Sequence, residues 1–382
     1  KSFDRVTLEL SPFTLFVGRN ASGKSNLLDA LLVLKGLALG YSVAEVFNGA
    51  GAGRWAGVRG GRSMAARSGC SAFSIVTSAM ALGDSYTHSV EVGAKGILSE
   101  SVGNLFHGIE SESKLRIELE DGCGLDPAES RTSVVSAERS ALVQISNTKC
   151  AHWLAPFAAT LAVMRIVDLD VAAMRGYAAR STDPLSSTGH NLSAVLWRLC
   201  QDAGRKERLL GWLEELCVTE VEDIEFIEPD GTDDVMLKVI EPTGVPIAAR
   251  SLSDGTLRFL GILAAVMTAE DGELLMFEEI ETGFHPERVR LLLEFFDSEL
   301  PREPLDGPAG QRDLQILATS HSARLLEQVP EHRLHGVHVV GRSQETGCSI
   351  VRRMSDLPDF AAARERLGVE RMFSTGWLDR AL

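Results

Sequence analysis

The chain has 382 residues, 45% of them hydrophobic, and carries a formal net charge of −15. That length buries one large core or two moderate ones, and no apolar run reaches membrane-spanning length, so a soluble domain with an added lobe or insertion is expected. The acidic balance excludes a surface broadly built to neutralise a phosphate backbone, which leaves room for local nucleic-acid contact only.

Near the start, Phe13-Thr14-Leu15-Phe16-Val17 reads as a buried strand, and the residues from Asn26 to Leu34 carry a helical apolar stripe. Between them lies Gly18-Arg19-Asn20-Ala21-Ser22-Gly23-Lys24-Ser25, of the form G-x-x-x-x-G-K-S. Strand, glycine turn and helix start are what a phosphate-binding loop requires. The glycines let backbone N–H groups curl around an anion, and the helix N-terminus points its partial positive charge the same way. Lys24 then reaches the β- and γ-phosphates and Ser25 ligates magnesium, with Asn26 at the helix entry.

Further on, no acid occurs between Glu45 and Asp84, while Arg54, Arg59, Arg62 and Arg67 sit among glycines and alanines. The plain reading is a mobile Gly-rich loop kept soluble by arginines; the alternative is local contact with phosphates or with the acidic face of a partner. Short alternating runs at Phe73–Thr77 and Lys114–Leu119 read as antiparallel strands. Residues 150–217 read as helical, with Asn191–Trp197 and Arg208–Leu213 at helical spacing behind Asn and Ser cap candidates. Strands return at Asp223–Ile227, Val235–Ile240 and Val245–Ala249.

Arg250-Ser251-Leu252-Ser253-Asp254-Gly255-Thr256 then opens an apolar helix. Ser253 offers a hydroxyl, Gly255 lets backbone approach closely, and the helix N-terminus points at whatever anion arrives. Next, Glu273-Leu274-Leu275-Met276-Phe277-Glu278-Glu279 is an apolar strand that ends in two acids, a Walker B pattern. Glu278 takes the magnesium role, one methylene longer than the usual Asp, and Glu279 activates the attacking water. Leu314–Ser320 is another apolar strand, ending at His321, whose neutral imidazole can hydrogen-bond a γ-phosphate oxygen. The tail reads as two short strands, Leu334–Val340 and Cys348–Arg353, and a helix around Phe360–Leu367. His332, His335 and His338 lack a matching Cys or carboxylate pattern and read as surface loop histidines. The six cysteines are scattered without a C-x-x-C pair, which fits reduced thiols, and Lys1 onward shows no signal-peptide pattern, so a cytoplasmic setting is expected.

The four motifs in this order resemble those of ABC-type P-loop ATPases, and L-S-D-G-T with F-E-E-I-E-T-G-F-H-P resembles the RecF/OLD/SMC-related, AAA-21-like predicted ATPases. The resemblance spans Gly18 to His321. It implies an α/β ABC-ATPase head, a P-loop sheet core with an antiparallel β subdomain and a helical lobe. In domain terms that is 1–150 as the N-terminal part of the ATPase lobe, 151–217 as the helical lobe and 218–382 as the C-terminal part. It further implies ATP and Mg2+ as cofactors, with Gln144 as a Q-loop residue contacting nucleotide and metal. Two chains then close on two ATP molecules, each held between the phosphate loop of one chain and Ser253, Asp254 and Gly255 of the other, with higher oligomers left open. No sustained heptads separate Ser25 from Ser251, unlike SMC proteins, and no D-x-D pair follows His321, unlike the nuclease domain of OLD proteins. The resemblance therefore implies slow ATP hydrolysis that controls a separate effector, a nuclease or toxin, in anti-phage defence or DNA maintenance. A non-hydrolysing nucleotide-dependent scaffold and a transporter's nucleotide-binding subunit remain as alternatives; against the transporter, its usual L-S-G-G-Q differs from Leu252–Thr256.

Overall fold

A computed structural model of the chain describes residues 2–51, 55–62, 65–66, 70–81, 84–93, 96–105, 113–118, 124–125, 138–144, 151–181, 183–216, 221–285, 288–301 and 313–382. In chain order the strands are β1 (Phe13–Val17), β2 (Ala72–Ala81), β3 (Asp84–Gly93), β4 (Gly96–Leu105), β5 (Ser113–Glu118), β6 (Gly124–Leu125), β7 (Arg165–Val167), β8 (Ala178–Ala179), β9 (Asp223–Ile227), β10 (Asp234–Ile240), β11 (Pro246–Ala248), β12 (Leu274–Phe277), β13 (Gln315–Ser320), β14 (Val337–Arg342) and β15 (Ser349–Arg353). The helices are α1 (Lys24–Ala38), α2 (Val43–Asn48), α3 (Ala141–Gln144), α4 (Ala151–Ala162), α5 (Val171–Met174), α6 (Leu192–Leu199), α7 (Ala203–Leu216), α8 (Asp254–Met267), α9 (Val289–Glu299), α10 (Ala323–Gln328), α11 (Phe360–Leu367), α12 (Val369–Ser374) and α13 (Trp377–Ala381). The chain divides into two compact units. One comprises Lys1–Val6, Gly23–Met164 and Thr346–Ser349; the other comprises Thr7–Ser22, Arg165–Glu345 and Ile350–Leu382. Among the described residues, no helix is long and apolar enough to cross a membrane.

The first unit holds the expected antiparallel sheet, in the order β2-β3-β4-β5-β6. Leu119, at the end of the expected second run, lies outside the described residues, as do Arg54, Arg67, Cys123, Cys150 and Cys217. Helix α2 starts on a capping box: Ser42 Oγ accepts from Glu45 N while the Glu45 carboxylate accepts from Ser42 N. Those bonds from Ser42 lower the Glu45 pKa below the ordinary carboxylate value. Within this unit Glu100 is buried yet satisfied. It accepts from Ser140 Oγ at 2.5 Å and Ala141 N at 2.8 Å, with His88 Nε2 at 2.8 Å. A buried carboxylate in β4 thus ties the start of α3, the helix that ends at Gln144.

In the second unit a six-stranded sheet runs β15-β14-β1-β13-β12-β7. The pairs β14–β1, β1–β13, β13–β12 and β12–β7 are all parallel. Strands covered on both faces have to be apolar throughout, and β1 and β12 are buried at every residue. Helix α8 is buried from Thr256 to Met267 except at Arg258, and it packs in the same core as Leu15, Leu275, Phe277 and Ile316. A smaller antiparallel group, β9-β10-β11 with β8, completes the unit.

The region expected to be wholly helical, 150–217, contains two strands besides its helices. β7 adds to the edge of the main sheet and β8 pairs with β10. Neither is long enough to show a period, so neighbours rather than local pattern decide their state. Asn191 sits at the start of α6 without capping it; its amide accepts from Ser186 N and donates to Pro184 O. The start of α7 is satisfied instead by Asp202, whose Oδ1 accepts from Arg205 N. His338 is also displaced from expectation: it lies buried on β14 against Phe16, not on a surface loop. His332 faces Asp297 at 2.8 Å, and His335 Nδ1 lies 2.8 Å from the carbonyl of His332.

Candidate nucleotide site

Because β1, β13 and β12 are adjacent and parallel, their C-terminal ends open on one edge of the sheet. Val17 is in register with Ser320, and Phe277 with Ala318. The glycine loop, the acid pair and the histidine therefore leave the same edge within one unit, as ligand sites of parallel sheets do. Gly18 N donates to Ser320 O at 3.3 Å, which ties the loop's first residue to the histidine strand. Gly18 has no alternative as a residue type: a Cβ there would stand 2.1 Å from Val340 O on β14. Beyond it Arg19, Asn20 and Ala21 are exposed while Ser22 is buried. Ser22 N donates to Arg19 O at 3.2 Å, and Arg342 Nε holds the carbonyl of Ala21 at 3.0 Å.

The second half of the loop belongs to the other unit. Gly23 has φ 115°, a left-handed conformation suited to glycine, and a Cβ there would fall 2.5 Å from Ser349 Oγ. Lys24 is buried at the first turn of α1, and Asn26 Nδ2 donates to Ser2 Oγ at 2.6 Å. Ser25 O accepts from Arg59 Nη2 at 3.0 Å, and Arg59 Nε donates to Asp29 Oδ1 at 3.0 Å. The expectation of a freely mobile arginine loop does not hold at Arg59, which is fastened to the first turns of α1. Arg62 likewise reaches Gly93 O, at 3.5 Å.

At the sheet edge the acids are held by β13. Glu279 N donates to Thr319 Oγ1 at 2.9 Å, and Ile280 N donates to Thr319 O at 3.1 Å. Glu279 adopts φ 44°, unusual for a residue with a side chain, and half of that side chain is exposed. Strain of this kind collects where a site over-determines the backbone. Glu278 is half-buried beside it. Glu281, not singled out by the sequence reading, is the carboxylate closest to His321. Its Oε1 accepts from Ser320 Oγ at 2.8 Å and from His321 N at 2.9 Å, and lies 3.4 Å from His321 Nδ1. The nearest Glu279 oxygen is 3.9 Å from the same nitrogen.

The signature turn belongs to the same unit. Ser253 caps α8, its Oγ accepting from Thr256 N at 3.1 Å, and both Ser253 and Asp254 are exposed. A Cβ on Gly255 would lie 2.9 Å from Gly283 O, so the turn that follows the acid pair runs against the start of α8. Phe259 and Phe284 add an edge-on contact at 6.3 Å. Gln144 closes α3 in the other unit; its neighbour Ile145 and, past the acid pair, Pro286 fall outside the described residues.

As for the group this site would hold, the loop's first residue admits nothing larger than glycine, and an acid pair leaves the same sheet edge. That arrangement suits a nucleotide triphosphate with a hard divalent cation. Arg175, Arg342 and Glu281 were missed because each acts on a motif residue remote in the chain, by 79, 321 and 40 positions respectively, and Arg59, read only as part of a loop, grips Ser25 from 34 positions away.

Solved structures similar to the chain include the SMC head domain from Thermotoga maritima, at 13% identity, covering 92% of this chain and 95% of that one with a TM-score of 0.38. Another is the Smc head domain with an extended coiled coil, bound to the C-terminal domain of ScpA, derived from Pyrococcus furiosus, at 11% identity, 90% of each chain and a TM-score of 0.38. No curated protein matches. Residues 13–118 and 193–327 match the AAA_21 family, described as AAA domain, putative AbiEii toxin, Type IV TA system. The matched residues are well over half of the chain and carry the glycine loop, signature turn, acid pair and His321. The chain belongs to the AAA_21 family, of AAA-type P-loop ATPases.

Proposed function

We propose that this chain hydrolyses ATP as an ATP-gated homodimer, each nucleotide held between Gly18–Ser25 of one copy and Ser253–Gly255 of the other. One observation carries the reading: Gly18, the Glu278–Glu279 pair and His321 leave the same edge of one parallel sheet, with Gly18 bonded to the histidine strand. Loop N–H groups and Lys24 bind the phosphates. Magnesium, assigned to Ser25 and Glu278 with Gln144 as a further ligand, supplies charge neutralisation at the phosphates. Glu279 accepts a proton from the attacking water as the bond from the γ-phosphorus to its bridging oxygen breaks. His321 hydrogen-bonds a γ-phosphate oxygen.

Closure of two copies is driven by their differential affinity for ATP. The reading extends to control of a separate effector, a nuclease or toxin, in anti-phage defence in the cytoplasm; the family's description as a putative toxin of a type IV system supports that setting. Steady-state phosphate release and light scattering test the core of it. Wild type should release phosphate, and Glu279→Gln should bind ATP, release almost none and accumulate as a dimer. A Glu279→Gln chain that stays monomeric at saturating ATP overturns the sandwich.

A further inference from the structure

Arg175 directly follows α5, in the stretch between the two family-matched segments. Its Nη1 donates to three carbonyls of the turn that precedes α8: Ala249 O at 3.2 Å, Arg250 O at 2.9 Å and Leu252 O at 2.8 Å. Its Nη2 meets Asp254 Oδ1 at 2.6 Å. Two residues on, Tyr177 receives the guanidinium of Arg250 over its ring at 5.5 Å. Helix α5 is itself fitted to α8: a Cβ on Gly261 would stand 2.7 Å from Leu169 and 3.3 Å from Met174 Sδ.

Three carbonyl oxygens and a carboxylate converging on one place repel each other unless a multi-donor cation sits between them. A planar guanidinium can serve all four, whereas an ammonium on a flexible stem cannot hold that fork. Asp254 sharpens the requirement. As the first residue of α8 its charge favours the helix dipole, yet the same charge opposes any anion brought to that N-terminus. A counter-cation beside this aspartate lowers that opposition, and Arg175 is in contact with it.

We propose that Arg175 is a positioning residue of the composite nucleotide site: it fixes the Ser253–Gly255 turn and neutralises Asp254 so that the triphosphate held by a second copy can dock there. The proposal rests on the sandwich reading above. It places Arg175 on the signature side of the interface, so its loss acts on the nucleotide of the partner copy and spares the nucleotide bound by its own loop.

The test uses the full chain with Arg175→Ala, Arg175→Lys and the double variant Arg175→Ala/Asp254→Asn. A fluorescent ATP analogue should bind Arg175→Ala within about twofold of wild type, while phosphate release falls about 10²-fold, the scale of a misplaced positioning contact. Asp254→Asn should restore part of that loss. Mixed with Lys24→Ala, Arg175→Ala should regain phosphate release well above either variant alone, because one intact loop then faces one intact signature. Mixed with Ser253→Arg, which damages the same side, it should regain none. Phosphate release by Arg175→Ala close to wild type, or failure to complement Lys24→Ala despite normal analogue binding, overturns the proposal. Should Arg175→Ala not fold, Arg175→Lys decides by the same readouts, and wild-type behaviour there overturns it equally. A wild-type chain that neither dimerises nor releases phosphate removes the sandwich itself, an outcome separate from any effect of Arg175.

Discussion

At Glu281 one carboxylate oxygen takes hydrogen bonds from the Ser320 hydroxyl and the His321 backbone and lies 3.4 Å from His321 Nδ1. The side chain is only 11% exposed, so these contacts form where water screens them weakly. A carboxylate facing Nδ1 favours the tautomer with its proton there, leaving Nε2 for other partners. Such orienting carboxylates act through the imidazole they face and need not touch the reacting atoms. Glu281→Gln keeps the shape and removes the charge. It should lower phosphate release by about tenfold, less than the loss of an acid–base group itself would, and leave ATP binding unchanged. Single-turnover and equilibrium binding measurements separate the two; weakened binding with unchanged turnover would assign Glu281 to the nucleotide instead of to His321.

Among the elements, those long enough to show an apolar run or a period were legible from sequence, and those of two or three residues were not. β1, β9, β12, β13 and α11 lie where the apolar pattern puts them, because burial on both faces, alternation along a strand or a helical stripe leaves a local signature. The three residues of β7 leave none. What places β7 is Arg165, whose guanidinium meets Glu273 at 2.7 and 3.2 Å and Ala265 O at 3.0 Å. Both side chains of this pair are nearly buried, so removing one strands the other's charge. Arg165→Ala should cost roughly 3–5 kcal/mol in urea unfolding, and Arg165→Met with Glu273→Leu much less, because it strands no charge. The site divides in the same way: its motifs are contiguous and were legible, whereas the residues that hold them come from distant segments. His338 is the clearest reversal, an apparent loop histidine that the fold buries under Phe16. Burial pushes its pKa below the ordinary 6.5, outweighing the opposing bond to Gly336 O. Between that lowered value and 6.5 the unfolded chain binds a proton that the folded chain refuses, so stability rises with pH there and is lost as pH falls. Melting temperatures from about pH 8 to about pH 5 should fall more steeply for wild type than for His338→Asn, which keeps a donor for Gly336 O but cannot charge.

For the whole molecule, net charge sets the condition under which the two copies of the proposed dimer can meet. Each chain carries −15, and two such chains repel as they approach even before each brings a further anionic triphosphate. Binding to a phosphate backbone through local arginines has the opposite salt dependence, since it releases counterions and weakens as salt rises. Ionic strength therefore separates the two kinds of association. Raising it from about 10 mM to about 150 mM shortens the screening length from about 30 Å to about 8 Å and should increase the dimer fraction of Glu279→Gln in ATP. Lys24→Ala, impaired in phosphate binding, should stay monomeric across the same range. Light scattering at fixed protein concentration reads both. A dimer that instead dissolves as salt rises would mean that attraction between opposite charges holds the copies together, and that the acidic balance of the chain is not what opposes their closure.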